Sequence, residues 1–177
     1  MKLGFSAWYR KDAVKIATKL LYVLKKDCYI HRGEELVKWD LFGPFLISLL
    51  LPLIVYFPTP LRDANSQNLA FALFFAFLWL MPFVSALNAC LVGTYMDYLP
   101  LMSIILYELF PICVSAIIVK ILSFIPKVVM VAPAVIYSLS LSKKSLEGHM
   151  VKDKWVMIYT PIVFMYITVG VLAIFNA

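Results

Sequence analysis

The 177-residue sequence predicts an all-α polytopic membrane protein: a bundle of five transmembrane helices preceded by a short cytosolic amphipathic helix. Three observations predict it. Hydrophobic residues make up 63% of the chain, against the roughly half typical of soluble domains. The apolar residues gather in five runs, about 41–57, 69–93, 98–122, 124–142 and 155–175, and roughly 17 to 25 such residues cross the ~30 Å hydrocarbon layer as a helix. Lys and Arg collect outside these runs: nine of the sixteen precede Asp40 and four more lie from Lys143 to Lys154. The chain divides into a basic tail, 1–38, and a membrane domain, 39–177.

In the tail, Val14, Ala17, Leu21 and Leu24 recur at helical spacing, while Lys15, Lys19 and Lys26 occupy other angles. Such a helix lies in the headgroup region with its lysines reaching lipid phosphates, or binds a partner. The apolar patch at the start is too short for a signal-peptide core, which predicts an uncleaved N-terminus. His31 to Lys38 reads as a charged, solvated connector.

The first run opens on Asp40-Leu41-Phe42-Gly43-Pro44. A carboxylate here can accept from the free amides of a first helical turn, and proline there lacks an N–H that would be unpaired anyway. Pro58 to Asn68 has the proline, asparagine and charge of a water-exposed loop. The second run carries Asn88, which in lipid needs a partner and reads as packing glue between helices.

Gly93 to Asp97 reads as a tight turn. The third run holds Glu108 near its middle and Pro111 about one turn later. An ionised carboxylate at bilayer depth costs about 2.5 kcal/mol or more. Glu108 is therefore protonated, paired or facing a wet cleft, and it is either a functional group or a carboxyl bonded to a carbonyl that Pro111 leaves open. The fourth run contains Lys127 and Pro133. A polar connector, Lys143 to Lys154, leads to the fifth, which begins at Trp155.

Thirteen of the Lys and Arg fall on one side of this topology and three on the other, which places the N-terminus in the cytosol and the C-terminus across the membrane. The net charge of +6 is a matter of membrane orientation, and nucleic acid is not an expected partner. Cys28, Cys90, Cys113, His31 and His149 form no metal-ligand spacing, so no metal or cofactor is expected. No GxGxxG, Walker, HExxH or GxSxG motif is present, and the chain reads as non-enzymatic.

Asp40-Leu41-Phe42-Gly43-Pro44 resembles the chief motif of the Yip (YIPF) family, Asp-Leu-aromatic-Gly-Pro at the head of span one. Leu87-Asn88 with Leu91 and Gly93, Tyr107 with Pro111, Tyr159 with Pro161, and Phe164 with Tyr166 are similar to its short-tailed branch, that of the sixth human YIPF paralogue. A departure falls at Leu106-Tyr107-Glu108, where the family usually has Gly-Tyr-Cys. The resemblance implies a five-span scaffold of the Golgi and endoplasmic reticulum in vesicle-mediated transport, binding prenylated Rab/Ypt GTPases and sibling Yip proteins in the lipid bilayer. It implies partner-binding residues at Asp40, Leu41, Phe42, Gly43, Pro44, Tyr107 and Pro111. The alternative is a small channel or transporter that uses Glu108.

Overall fold

The computed structural model describes residues 14–21, 23, 40–56, 64–121, 126–147, 149 and 154–176. Residues 14–21 are helical. Then come α1 (Phe42–Tyr56), α2 (Ala64–Val92), α3 (Tyr98–Tyr107), α4 (Phe110–Ile121), α5 (Lys127–Glu147) and α6 (Trp155–Asn176). The described residues are all-α, with no strand among them.

Asn65–Val92, Tyr98–Ile121 (α3 and α4 together) and Trp155–Asn176 are long and apolar enough to cross a membrane, whereas Phe42–Tyr56 is apolar but shorter. Tyr98–Ile121 is the most buried of the three, and it is the hub of the bundle. Every residue from Pro100 to Tyr107 is buried. Around the hub, α1 packs on α2, α3 and α4; α5 packs on α4 and α6; α2 closes on α6.

Helical periodicity decides which faces turn inward. In α1 the buried residues form two adjacent rows four residues apart, Gly43, Ile47, Leu51, Val55 and Pro44, Ser48, Pro52, Tyr56, as the 3.6-residue turn requires. Along α2, Leu69, Leu73, Leu80, Val84, Leu87 and Leu91 are exposed. Their spacing of three, four and seven makes one outward apolar stripe, suited to lipid.

Proline sets the breaks and opens backbone groups. Pro111 lacks the N–H that the Tyr107 carbonyl would accept in a continuous helix. The chain accordingly turns at Glu108 and Leu109, with the Leu109 amide donating to the Leu106 carbonyl at 3.3 Å. The predicted run 98–122 is thus two helices end to end.

Two other boundaries differ from the sequence reading. Helix α2 begins at Ala64, inside the stretch expected to be a loop, and α5 continues to Glu147, inside the expected connector. Leu146 explains the second, since its burial in the core holds the last turn of α5 in place. The turn after Val92 falls where expected: Gly93 has φ 105°, a conformation glycine adopts without a Cβ penalty. The Gly93 and Thr94 amides both donate to the Ala89 carbonyl, at 3.1 and 3.2 Å, which caps α2.

Candidate functional site

Asp40 stands just before α1 and uses both ends of its residue. Its Oδ1 accepts the Gly43 amide at 3.1 Å, the bond an N-cap carboxylate makes to the first turn. Its Oδ2 accepts the Lys19 ammonium at 2.9 Å and the Tyr107 hydroxyl at 2.8 Å. The Asp40 carbonyl would bond four residues on, but that residue is Pro44, which has no N–H. The Ser103 hydroxyl of α3 fills the place at 2.9 Å.

Gly43 completes the knot. A Cβ there would fall on the Tyr107 side chain, with ring carbons Cζ at 2.5 Å and Cε1 at 2.7 Å. Each letter of the motif therefore has a physical task. Asp caps the helix and binds Tyr107, Gly lets the Tyr107 ring pass, and Pro leaves the Asp40 carbonyl to Ser103.

Lys19 seals the knot from the tail. Its ammonium lies 5.3 Å from the centre of the Tyr107 ring, within cation–π range. Only 6% of Lys19 is exposed. This corrects the expectation that Lys19 reaches lipid phosphates: one carboxylate and one aromatic face draw it into the bundle. The tail is fixed a second time by the Tyr137 hydroxyl of α5, which donates to the Val23 carbonyl at 2.9 Å. Lys15 is exposed, and Lys26 lies outside the described residues.

Burial acts to raise the Asp40 carboxyl, but the Lys19 ammonium, the Gly43 amide and the Tyr107 hydroxyl outweigh it and hold the group below its ordinary value. The carboxylate form belongs to the folded state. On the outer side of the turn, Phe42 is 49% and Phe45 42% exposed, while Gly43 and Pro44 are buried. Leu41 lies between these extremes. The turn thus offers an apolar edge outward and keeps its charge inward.

Tyr107 and its neighbour Glu108 serve different clusters. Glu108 is 1% exposed, and three hydroxyls reach its carboxyl. Ser142 contacts Oε2, Ser145 lies 2.6 Å from Oε1, and Tyr166 lies 3.1 Å from Oε2. Ser142 and Tyr166 are 2.9 Å apart, and the Tyr166 hydroxyl donates to the Ile105 carbonyl at 2.9 Å. The helix break, α5 and α6 are joined here. Pro111, buried in the first turn of α4, makes the break.

Asn88 is on α2, and its side-chain amide donates to the Met157 carbonyl of α6 at 2.8 Å. Pro161, four residues beyond Met157, offers that carbonyl no N–H. Lys120 serves an open carbonyl too: its ammonium donates to that of Ile54, in the last turn of α1, where a helix leaves its carbonyls without intrahelical partners. In lipid a freed backbone group must be satisfied by a neighbouring segment.

Sequence reasoning named Asp40 and Gly43 in one motif and Tyr107 in another, and the structure brings the three together. It had Tyr166 only as part of the last-span resemblance, and it did not single out Ser103, Ser142 or Ser145. For Ser103 the signal was a proline four residues after a capping aspartate; for Ser142 and Ser145 it was hydroxyls three residues apart on a helix of a bundle that must house a carboxyl. Among the described residues no group of three His, Cys, Asp or Glu could hold a metal ion.

No protein-family model matches the chain, and no solved structure matches it. A protein named YIP4 from Schizosaccharomyces pombe is 25% identical over 159 residues, covering 88% of this chain and 66% of that relative. A protein named YIP4b from Arabidopsis thaliana is 26% identical over 167 residues, covering 93% of this chain and 58% of that relative. The chain therefore spans less than two thirds of the length of either curated relative.

Proposed function

Because the chain belongs to the Yip family, we propose that it is a non-enzymatic membrane scaffold in vesicle-mediated transport between endoplasmic reticulum and Golgi. In this reading it binds a prenylated Rab/Ypt GTPase and sibling Yip proteins, with a cytosolic N-terminus and a lumenal C-terminus. Five spans complete the topology. In this reading the three long apolar helices are joined by α5, at 21 residues, and by α1, whose 15 residues rise about 22 Å.

The observation that carries the reading is the two-sided turn at the head of α1. Its charge is spent on internal bonds to Lys19 and Tyr107, while Phe42 is half exposed beside a basic tail. A prenylated GTPase tail couples an apolar chain to basic residues, and an apolar edge at the membrane boundary suits its lipid part. The engaged carboxyl of Glu108 favours the scaffold over a transport pathway through that residue.

The test is recovery of prenylated Rab/Ypt GTPases with the detergent-solubilised full chain. Phe42→Ala, which leaves the Asp40 bonds intact, is expected to lower recovery severalfold while membrane insertion is unchanged. Recovery equal to wild type would reject the exposed edge as the contact.

A further inference from the structure

Hydrogen atoms can be counted in the Glu108 cluster. Six oxygen contacts are present: Glu108 to Ser142, Ser145 and Tyr166; Ser142 to Tyr166; Ser145 to the Leu141 carbonyl at 3.1 Å; and Tyr166 to the Ile105 carbonyl. Each hydroxyl brings one proton, and the two backbone carbonyls can only accept. Three protons serve six contacts if Glu108 is ionised.

The Ile105 carbonyl claims the Tyr166 proton, because the break has turned the Leu109 amide to Leu106 instead. Ser145 donates to Oε1. Ser142 then has one proton for two neighbours, Oε2 and the Tyr166 oxygen. With Glu108 charged, at least one of these close oxygen pairs has no hydrogen between its members, and the carboxylate is buried with no cation paired to it among the described residues. A buried, unpaired charge costs several kcal/mol.

One added proton resolves this. Placed on Oε2, it lets Glu108 donate to Ser142, Ser142 to Tyr166 and Tyr166 to Ile105, while Oε1 accepts from Ser145. Every oxygen in that directed chain is then satisfied. Two contacts are left over: Ser145 to the Leu141 carbonyl at 3.1 Å, and Tyr166 to Oε2 at 3.1 Å, which is longer than the other contacts of the Glu108 carboxyl.

We propose that Glu108 is an intramembrane proton-binding site, in which a carboxyl proton held at neutral pH ties the α3–α4 break to Ser142 of α5 and Tyr166 of α6. The titratable groups that face the carboxyl are Tyr159 and Tyr166 of α6. Tyr107, next in the chain, is turned to Asp40, and Lys143 of α5 stands over the Trp155 ring. No described cation is paired with Glu108. Loss of the proton charges a buried junction of helices and removes the first bond of the chain, so deprotonation loosens the break from both helices.

The test uses the full chain in lipid nanodiscs with isotope-labelled glutamate carboxyl carbons, read by NMR at neutral pH. Of the four glutamates, Glu34, Glu35, Glu108 and Glu147, one is expected at the position of a neutral acid, and that resonance is lost in Glu108→Gln. Glutamine keeps one acceptor and one donor, so this variant is expected to fold. Should it fail to fold, Ser142→Ala provides the assignment, because removing the acceptor is expected to shift the neutral-acid resonance. Four carboxylate resonances in the folded wild type at neutral pH, or a neutral-acid signal indifferent to both substitutions, would overturn the proposal.

Discussion

The Tyr107 hydroxyl donates to Asp40 Oδ2 across 2.8 Å and 67 residues of chain, tying the head of α1 to the end of α3. The aspartate, glycine and proline of the motif each make that tie possible. A short signature at a helix head is here a long-range contact.

Gly43 gives the most local prediction. A methyl group at this position meets the Tyr107 ring, and overpacking of a filled site costs about 1 to 3 kcal/mol. Gly43→Ala is expected to lower the thermal unfolding temperature of the purified chain. In a Tyr107→Ala background the same change is expected to cost little, because the obstructing ring is gone. Equal losses in both backgrounds would place the strain elsewhere.

The sequence carried much of the architecture and little of the site's wiring. The apolar runs and the glycine turn at Gly93 are local signals, legible from hydropathy and from the φ only glycine takes easily. Asp40 was legible as a cap because capping is a three-residue affair. That Oδ2 belongs to Tyr107 and Lys19 depends on how α1, α3 and the tail meet in space, which no spacing encodes. Lys19 shows the limit most clearly. Helical periodicity put it on a polar face, and that face turned out to look at a carboxylate within the bundle. The pairing of Asn88 with Met157 was half legible, since Pro161 announces an open carbonyl but not which helix fills it.

Asn88 and Pro161 should act as a pair. Interhelical side-chain hydrogen bonds in membrane proteins average about 0.6 kcal/mol and reach about 1.7. Asn88→Leu is expected to destabilise the chain within that range in a denaturant titration. Pro161→Ala restores an N–H for the Met157 carbonyl and should make Asn88→Leu nearly neutral. A cost unchanged by Pro161→Ala would mean that the bond is not what Asn88 contributes.

Acid should release the tail. The Asp40 carboxyl is held below its ordinary value in the folded chain, so its contribution is fully present above the unfolded value. It is lost as pH falls through the lower, folded one. Hydrogen exchange at residues 14–21 is expected to stay slow through neutral and mildly acidic conditions, then quicken at strongly acidic pH. Asp40→Asn is expected to exchange faster at neutral pH and to lack the acid step. An acid step of the same size in Asp40→Asn would assign it to another group.

The most direct measurement is a double-mutant cycle between Asp40→Asn and Tyr107→Phe, read as unfolding free energy of the full chain in a membrane mimetic. A hydrogen bond to a charged group contributes about 1.5 to 3 kcal/mol, so the two single losses are expected to exceed the loss in the double variant by about 1 kcal/mol or more. Losses that simply add, within roughly 0.3 to 0.5 kcal/mol, would contradict the account, because the head of the first helix would then stand without the contact on which its motif is built.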